Sequence, residues 1–460
     1  MKQTLVSSNP SASSLPWPLA QTRRPDESGR GTLRACATTR GVDHRFSWSA
    51  LLRSITLTLL LTATTLAAQL NDAAALRARI QQTFHVPNPL PALETQKQGS
   101  FEVEPGLIAD RVTYNTQLNL RVPAIVYHPS NTAVKRPAII IVNGHGGDKY
   151  SWYAFYAGIL YARAGAVVLT YDPIGEGERN SQHKSGTRAH DNYVPPDENG
   201  RWMGGLMMTD IRQATSYLTE RPDVDPNRIA VTGYSMGSFV VSWACAVETR
   251  LRACAPTAGA VLDGPGETLD RSSKKMCQSI PYQSLQFLGD RGATILALAA
   301  QHAAVLIHNG SSDEVVNIPT HGDAFFRDMR DRTARLLGPD AKKVFDYSFT
   351  PDGGHRPYFI TRPVAEWFNQ QLHFPDWDAI SHDETHISEW AAKNGVPMDK
   401  LYATEHREGG AIALGKNIPY LPHDKLNVLP ESEWQTQKEK FILETWLERV
   451  RQASSSQPSH

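Results

Sequence analysis

At 460 residues, with 40% hydrophobic and 20% charged content, the chain describes a soluble globular protein of one large domain or two of ordinary size. Its 47 basic residues balance 47 acidic ones, so nothing in the charge favours a nucleic-acid or anionic-membrane partner. Four cysteines, one of them Cys36 near the N-terminus, leave an odd number in the remainder and make no disulfide framework.

Residues 1–49 are rich in Ser, Thr, Arg and Pro without period and read as a disordered preface. Arg53 then precedes the apolar run Ile55–Ala68, which ends in small residues as a secretory h-region does. Residues 50–69 are therefore expected to be a signal peptide cleaved near Ala67 or Ala68, placing the protein in the periplasm or outside the cell. The run is short for a membrane span, which needs about 20 residues, so no stable span is expected. No Met occurs between Met1 and Met203, and with so long a preface the expectation is that translation begins at a non-Met codon near the apolar run.

Residues 70–373 read as the catalytic domain. AALRARIQQTF predicts a helix, and ADRVTYNTQLNLRVPAIVYHP alternates and breaks like antiparallel strands at a sheet edge. The rhythm then changes: the strand PAIIIVNGHGG, the helix YSWYAFYAGILYARAG and the strand AVVLTYDPIG precede the helix TDIRQATSYLTERPDVDPNR. The strands RIAVTG, RLRACAPTAGA, AAVLIHNG and VFDYSFTPDGG follow. Continuous apolar strands separated by helices predict an α/β fold with a mostly parallel sheet covered on both faces. Insertions near 178–205 and 262–292 fall at strand ends and are expected to wall a substrate pocket. Residues 374–460 read as a C-terminal helical extension, with helices at DETHISEWAAKNG and ESEWQTQKEKFILETWLERVRQ.

RIAVTGYSMG carries the chemistry. A short strand enters Gly-x-Ser-x-Gly, where the serine must stand on a sharp turn between strand and helix, and Gly233 and Gly237 remove the Cβ atoms that would clash there. Ser235 is the candidate nucleophile. Acyl transfer by serine needs a base, an acid to orient that base, and donors for the oxyanion. In this topology the acid and then the base follow the serine along the chain. Asp313 follows the strand AAVLIHNG in the turn GSSDEVV, with Val315 and Val316 turning it inward in preference to Glu314. His355 follows the last strand in PDGGHRPYF, where two glycines bring the imidazole over the turn. The amide of Met236 is one expected oxyanion donor; the second is expected from Gly146 or Gly147 in the HGG turn that His145 opens.

Other motifs read as structural. YDPIGEGER lacks the spacing of a phosphate loop and is expected to be a turn around Asp172. His382 and His386 in HDETH would share one helical face, but the second position is Asp383 and no third ligand is evident, so no metal is expected there. Tyr150, Trp152, Tyr153, Phe155, Tyr156 and Tyr161 suit helix packing better than a sugar platform. Cys245 and Cys254 read as buried small hydrophobes, and export leaves a Cys254–Cys277 bridge open.

As a set, NGHGG, YDPIGEGER, RPDVDPNRIAVTGYSMG, NGSSDEVV and DGGH resemble α/β-hydrolases of the acetyl xylan esterase and dienelactone hydrolase-like type over roughly residues 100–373. The resemblance implies the hydrolase sheet, the triad Ser235, Asp313 and His355, and hydrolysis with no cofactor and no metal. Sugar deacetylases of that type carry Gly-Gly-Ser-Gln-Gly-Gly at the elbow, where this chain has Tyr234, Met236 and Ser238 at three positions. The expected function is an exported serine hydrolase that cleaves carboxylic esters of small molecules or carbohydrates, acetyl groups on polysaccharide among them, through an acyl-enzyme. A peptidase or amidase of the same fold, and a catalytically silent binding protein, are the alternatives.

Overall fold

The computed structural model describes residues 70, 72–193, 197–260, 277, 279–339, 341, 343–396 and 412–455; the expected preface and signal peptide lie outside the described residues. Three strands open the sheet as an antiparallel edge, β1 (Gln96–Glu104), β2 (Leu107–Asn115) and β3 (Arg121–Pro129). Six parallel strands follow: β4 (Arg136–Val142), β5 (Val167–Tyr171), β6 (Val224–Tyr234), β7 (Ala253–Thr257), β8 (Ala304–Gly310) and β9 (Asp346–Thr350). Their order across the sheet is β1-β2-β3-β5-β4-β6-β7-β8-β9, with β3 antiparallel to β5. β1 starts earlier than the β signals expected from Phe101 onward, because residues 96–100 are polar and mostly exposed and leave no apolar alternation to read.

The period of two along each strand divides the core. Ile140 and Val142 of β4 face one side and Ile139 and Ile141 the other, and every residue of β4 is buried. The first side is covered by α1 (Ala73–Thr83), α3 (Asp197–Glu220), α4 (Met236–Val247), α6 (Arg291–Ala300) and α7 (Ile318–Leu337). The other is covered by α2 (Trp152–Arg163) and α8 (Arg362–Leu372). A short α5 (Ser279–Ser284) precedes α6. α6 and α7 stand where no element was expected; α7 is interrupted at Gly322 (φ 60°), which breaks its apolar period.

Residues after 373 complete this core. α2 is buried all round from Trp152 to Ala162, which requires cover on its outer side as well. That cover is α9 (Ile387–Lys393) and the chain around 412–421. Trp390 packs against Trp152, Phe155 and Tyr156, and the Tyr156 hydroxyl donates to Leu414 O at 2.8 Å. The aromatic set is thus packing, with only Tyr150 half-exposed. Two helical expectations fail here. His382 and His386 are exposed and do not share a helix face, because His386 closes the short strand β10 (Glu384–His386) that pairs with β11 (Ile412–Leu414). The long C-terminal helix is two, α10 (Glu431–Gln437) and α11 (Leu443–Ser455), broken so that Phe441, Ile442 and Leu443 can bury. Among the described residues no helix is long and apolar enough to cross a membrane.

Cys245 near the end of α4 is bonded to Cys254 of β7, which corrects both cysteine expectations. The turn between helix and strand brings their Cα atoms to 6.6 Å, within disulfide reach. Cys277 is a buried thiol.

His308 of β8 is fully buried between two hydroxyls of β9, with Nδ1 at 2.7 Å from Ser348 Oγ and Nε2 at 2.9 Å from Thr350 Oγ1. Burial pushes its pKa down to about 4. The folded chain therefore binds fewer protons than the unfolded chain below pH ~6.5, and stability falls as pH drops from there toward 4, by roughly 3 kcal/mol at most from this residue. Urea midpoints measured across that window are expected to fall more steeply for the wild type than for His308→Gln. Parallel curves would exclude His308 as the source.

Candidate active site

β6 ends at Tyr234 and α4 begins at Met236, so Ser235 alone makes the turn, at φ 55° and ψ −119°. A non-glycine residue at positive φ costs about 1–3 kcal/mol and persists only where its surroundings impose it. The glycines supply the room. A Cβ on Gly233 would lie 2.4 Å from Gly237 O, and one on Gly237 would lie 2.5 Å from Val142 O.

Asp313 follows β8, and His355 follows β9. His355 Nε2 is 2.8 Å from Ser235 Oγ, and His355 Nδ1 is 2.8 Å from Asp313 Oδ2. Asp313 is fully buried while Glu314 is exposed. The other Asp313 oxygen accepts from the Val315 and Val316 amides, so backbone donors fix the carboxylate. The two loops are tied together: Ser312 N donates to Gly353 O, and the Tyr358 hydroxyl donates to Gly354 O at 2.5 Å, just before the histidine. The Tyr234 ring lies 5.0 Å from the His355 ring.

Met236 is the first residue of α4, a position whose N–H has no acceptor within its own helix. In the turn after β4, Gly147 N donates to Gly144 O at 3.0 Å. That commits the Gly147 amide and leaves Gly146 (φ 73°) as the remaining expected donor. Gly144 packs directly on the elbow, where a Cβ would meet Ser235 Cβ at 3.0 Å.

Two clusters beside the elbow were not expected. Lys149 Nζ lies 2.5 Å from Asp172 Oδ2 and 2.8 Å from Glu178 Oε2, with all three side chains sealed from solvent. YDPIGEGER is thus a structural turn, and Glu178 also accepts from the Val428 and Leu429 amides. The second cluster joins His145 of the HGG turn to His190, Asp191 and Cys277. No local pattern announces either, because each joins loops that are distant in sequence.

Residues 156–379 match the prolyl oligopeptidase family. The chain is 30% identical over 190 residues to uncharacterized protein Rv2307c of Mycobacterium tuberculosis (strain ATCC 25618 / H37Rv), covering 41% of this chain and 57% of that protein. It is 28% identical over 145 residues to YtaP of Bacillus subtilis (strain 168), named as a hydrolase, covering 29% of this chain and 47% of the relative. The chain thus spans about half the length of these curated relatives. Among solved structures, methylesterase BT1017 is similar with a TM-score of 0.55 and 18% identity, covering 86% of this chain and 81% of that one. Strand order, elbow and this likeness define the α/β-hydrolase fold. The chain has the fold of the α/β-hydrolases, with its C-terminal helices packed onto the core.

Proposed function

We propose that the protein cleaves carboxylic esters outside the cytoplasm through an acyl-enzyme on Ser235. The observation that carries this reading is the unbroken hydrogen-bonded chain from Ser235 Oγ through His355 to Asp313, 2.8 Å at each step. As Ser235 Oγ attacks the ester carbonyl, His355 Nε2 takes its proton, and Asp313 holds the proton on Nδ1 and stabilises the imidazolium. The amides of Met236 and Gly146 donate to the oxygen that becomes negative. Collapse breaks the bond to the leaving alkoxide, which takes the proton from Nε2 and departs as the alcohol. Water then repeats the sequence on the acyl-enzyme, with His355 as base, and releases the acid.

The methylesterase name of the structural neighbour agrees with ester chemistry, whereas the prolyl oligopeptidase match favours a second reading, amide cleavage by the same triad. The apolar run Ile55–Ala68 and the Cys245–Cys254 disulfide support an oxidising, extracytoplasmic location. Protein recovered from periplasm or medium is expected to begin near residue 68 and to be labelled by a fluorophosphonate. It is also expected to turn over p-nitrophenyl acetate with a higher kcat/KM than alanine p-nitroanilide. Faster anilide cleavage would replace the esterase with a peptidase, no labelling would leave a silent binding protein, and activity confined to the cytoplasm would remove export.

A further inference from the structure

Behind the oxyanion turn, four side chains from three loops converge: His145 after β4, His190 and Asp191 in the loop between β5 and α3, and Cys277 just before α5. His145 Nε2 is 3.2 Å from Asp191 Oδ1 and 3.2 Å from Cys277 Sγ; His190 Nε2 is 4.0 Å from Asp191 Oδ1. All four ligand atoms lie within 4.8 Å of one another. A tetrahedral cation bound at about 2.0–2.3 Å sets its ligands roughly 3.3–3.8 Å apart, so the cluster has the size of such a site.

A second observation points the same way. His190 is fully buried, and its Nδ1 is 2.9 Å from Ile174 O. A ring nitrogen facing a carbonyl must carry the proton, which leaves a lone pair on Nε2. That Nε2 is buried inside the cluster with no hydrogen-bond partner. An unpaired buried acceptor is costly, and a carbonyl fixing the far nitrogen is the arrangement that orients a histidine toward a metal. Asp191 is held likewise. Arg188 donates twice to its Oδ2, at 3.0 and 2.7 Å, and the Cys277 amide donates to Oδ1 at 3.2 Å.

We propose that His145 Nε2, His190 Nε2, Asp191 Oδ1 and Cys277 Sγ bind one thiophilic divalent cation of the zinc class. One imidazole, one buried imidazole, a carboxylate and a thiolate suit zinc and exclude the all-oxygen preference of magnesium or calcium. Four protein ligands fill a tetrahedron and leave no open position, which makes the cation a staple. Cys277 gives up its proton to solvent when it ligates. The staple joins both pocket insertions to the HGG turn, and Cys277 Sγ touches Met236 Sδ at 3.4 Å, so it braces the wall next to Ser235. The site is independent of the ester reading, and it replaces the metal-free chain that the family resemblance implied.

The test uses the mature protein, stripped by chelator, dialysed and titrated with Co2+ and Zn2+. One equivalent of Co2+ is expected to give tetrahedral d–d absorption and a thiolate-to-cobalt band, displaced by Zn2+ and not by Mg2+. The band should vanish in Cys277→Ser and weaken in His190→Gln. Zn2+ should also raise the melting temperature of the wild type, a reading that needs no variant to fold. Failure of the wild type to take up one equivalent, or an unchanged band in folded Cys277→Ser, would overturn the site. Loss of esterase activity with metal binding intact would bear on Ser235 alone.

Discussion

Ser235→Ala is expected to lower kcat on p-nitrophenyl acetate by roughly 10^4- to 10^6-fold while leaving the urea midpoint no lower than that of the wild type. The size follows from the role proposed for the residue. Without Oγ there is no acyl-enzyme, and the remaining oxyanion donors give only the residual rate that binding alone provides. The fold should tolerate the change because Ser235 is only half-buried and its positive φ is imposed by the backbone of its neighbours. Asp313→Asn separates chemistry from structure in the same experiment. An amide can keep an oxygen for the Val315 and Val316 N–H groups, as the carboxylate does. It can no longer hold the His355 Nδ1 proton with a full charge, so a fall in kcat of about 10^4 is expected. Retention of most activity in either variant would remove the triad from the mechanism.

Much of this geometry is legible in the chain because each of its parts is local. The elbow needs glycines within two residues of Ser235, Asp313 needs a turn directly after a buried strand, and His355 needs the flexible Gly353–Gly354 pair. The central parallel strands β4 and β5 are equally plain, since burial on both faces makes them largely runs of aliphatic residues. What stays hidden depends on partners far along the chain. Nothing near Cys245 says that the turn will bring it to Cys254 rather than leave it packed alone. Lys149 looks like a solvated lysine until Asp172 and Glu178 are folded onto it. The tail reads as an appendage because its apolar positions, Trp390, Trp434 and Trp446, are separated by polar sequence and each packs into a different apolar cluster.

Lys149→Met is expected to lower the unfolding free energy by about 3–5 kcal/mol, the cost of leaving buried carboxylates without their counter-charge. Burial alone would push the Lys149 ammonium down, but the charges of Asp172 and Glu178 outweigh it and hold the pKa above its usual value. The lysine thus stays charged in a sealed space that already strains its acids: burial, and next the Asp172 charge, push Asp148 up to about 8. The carboxylates cannot simply be exchanged for apolar groups, because Asp172 also receives the Lys149 and Glu178 amides, and Glu178 receives those of Val428 and Leu429. Removing the lysine should therefore release the tail as well as lower stability. In limited proteolysis the variant is expected to be cut between residues 421 and 443 under conditions where the wild type survives at those positions. A change in urea midpoint equivalent to less than about 1 kcal/mol, with the tail still protected, would mean that water or a rearranged neighbour replaces the ammonium and that the trio does not anchor the C-terminal chain.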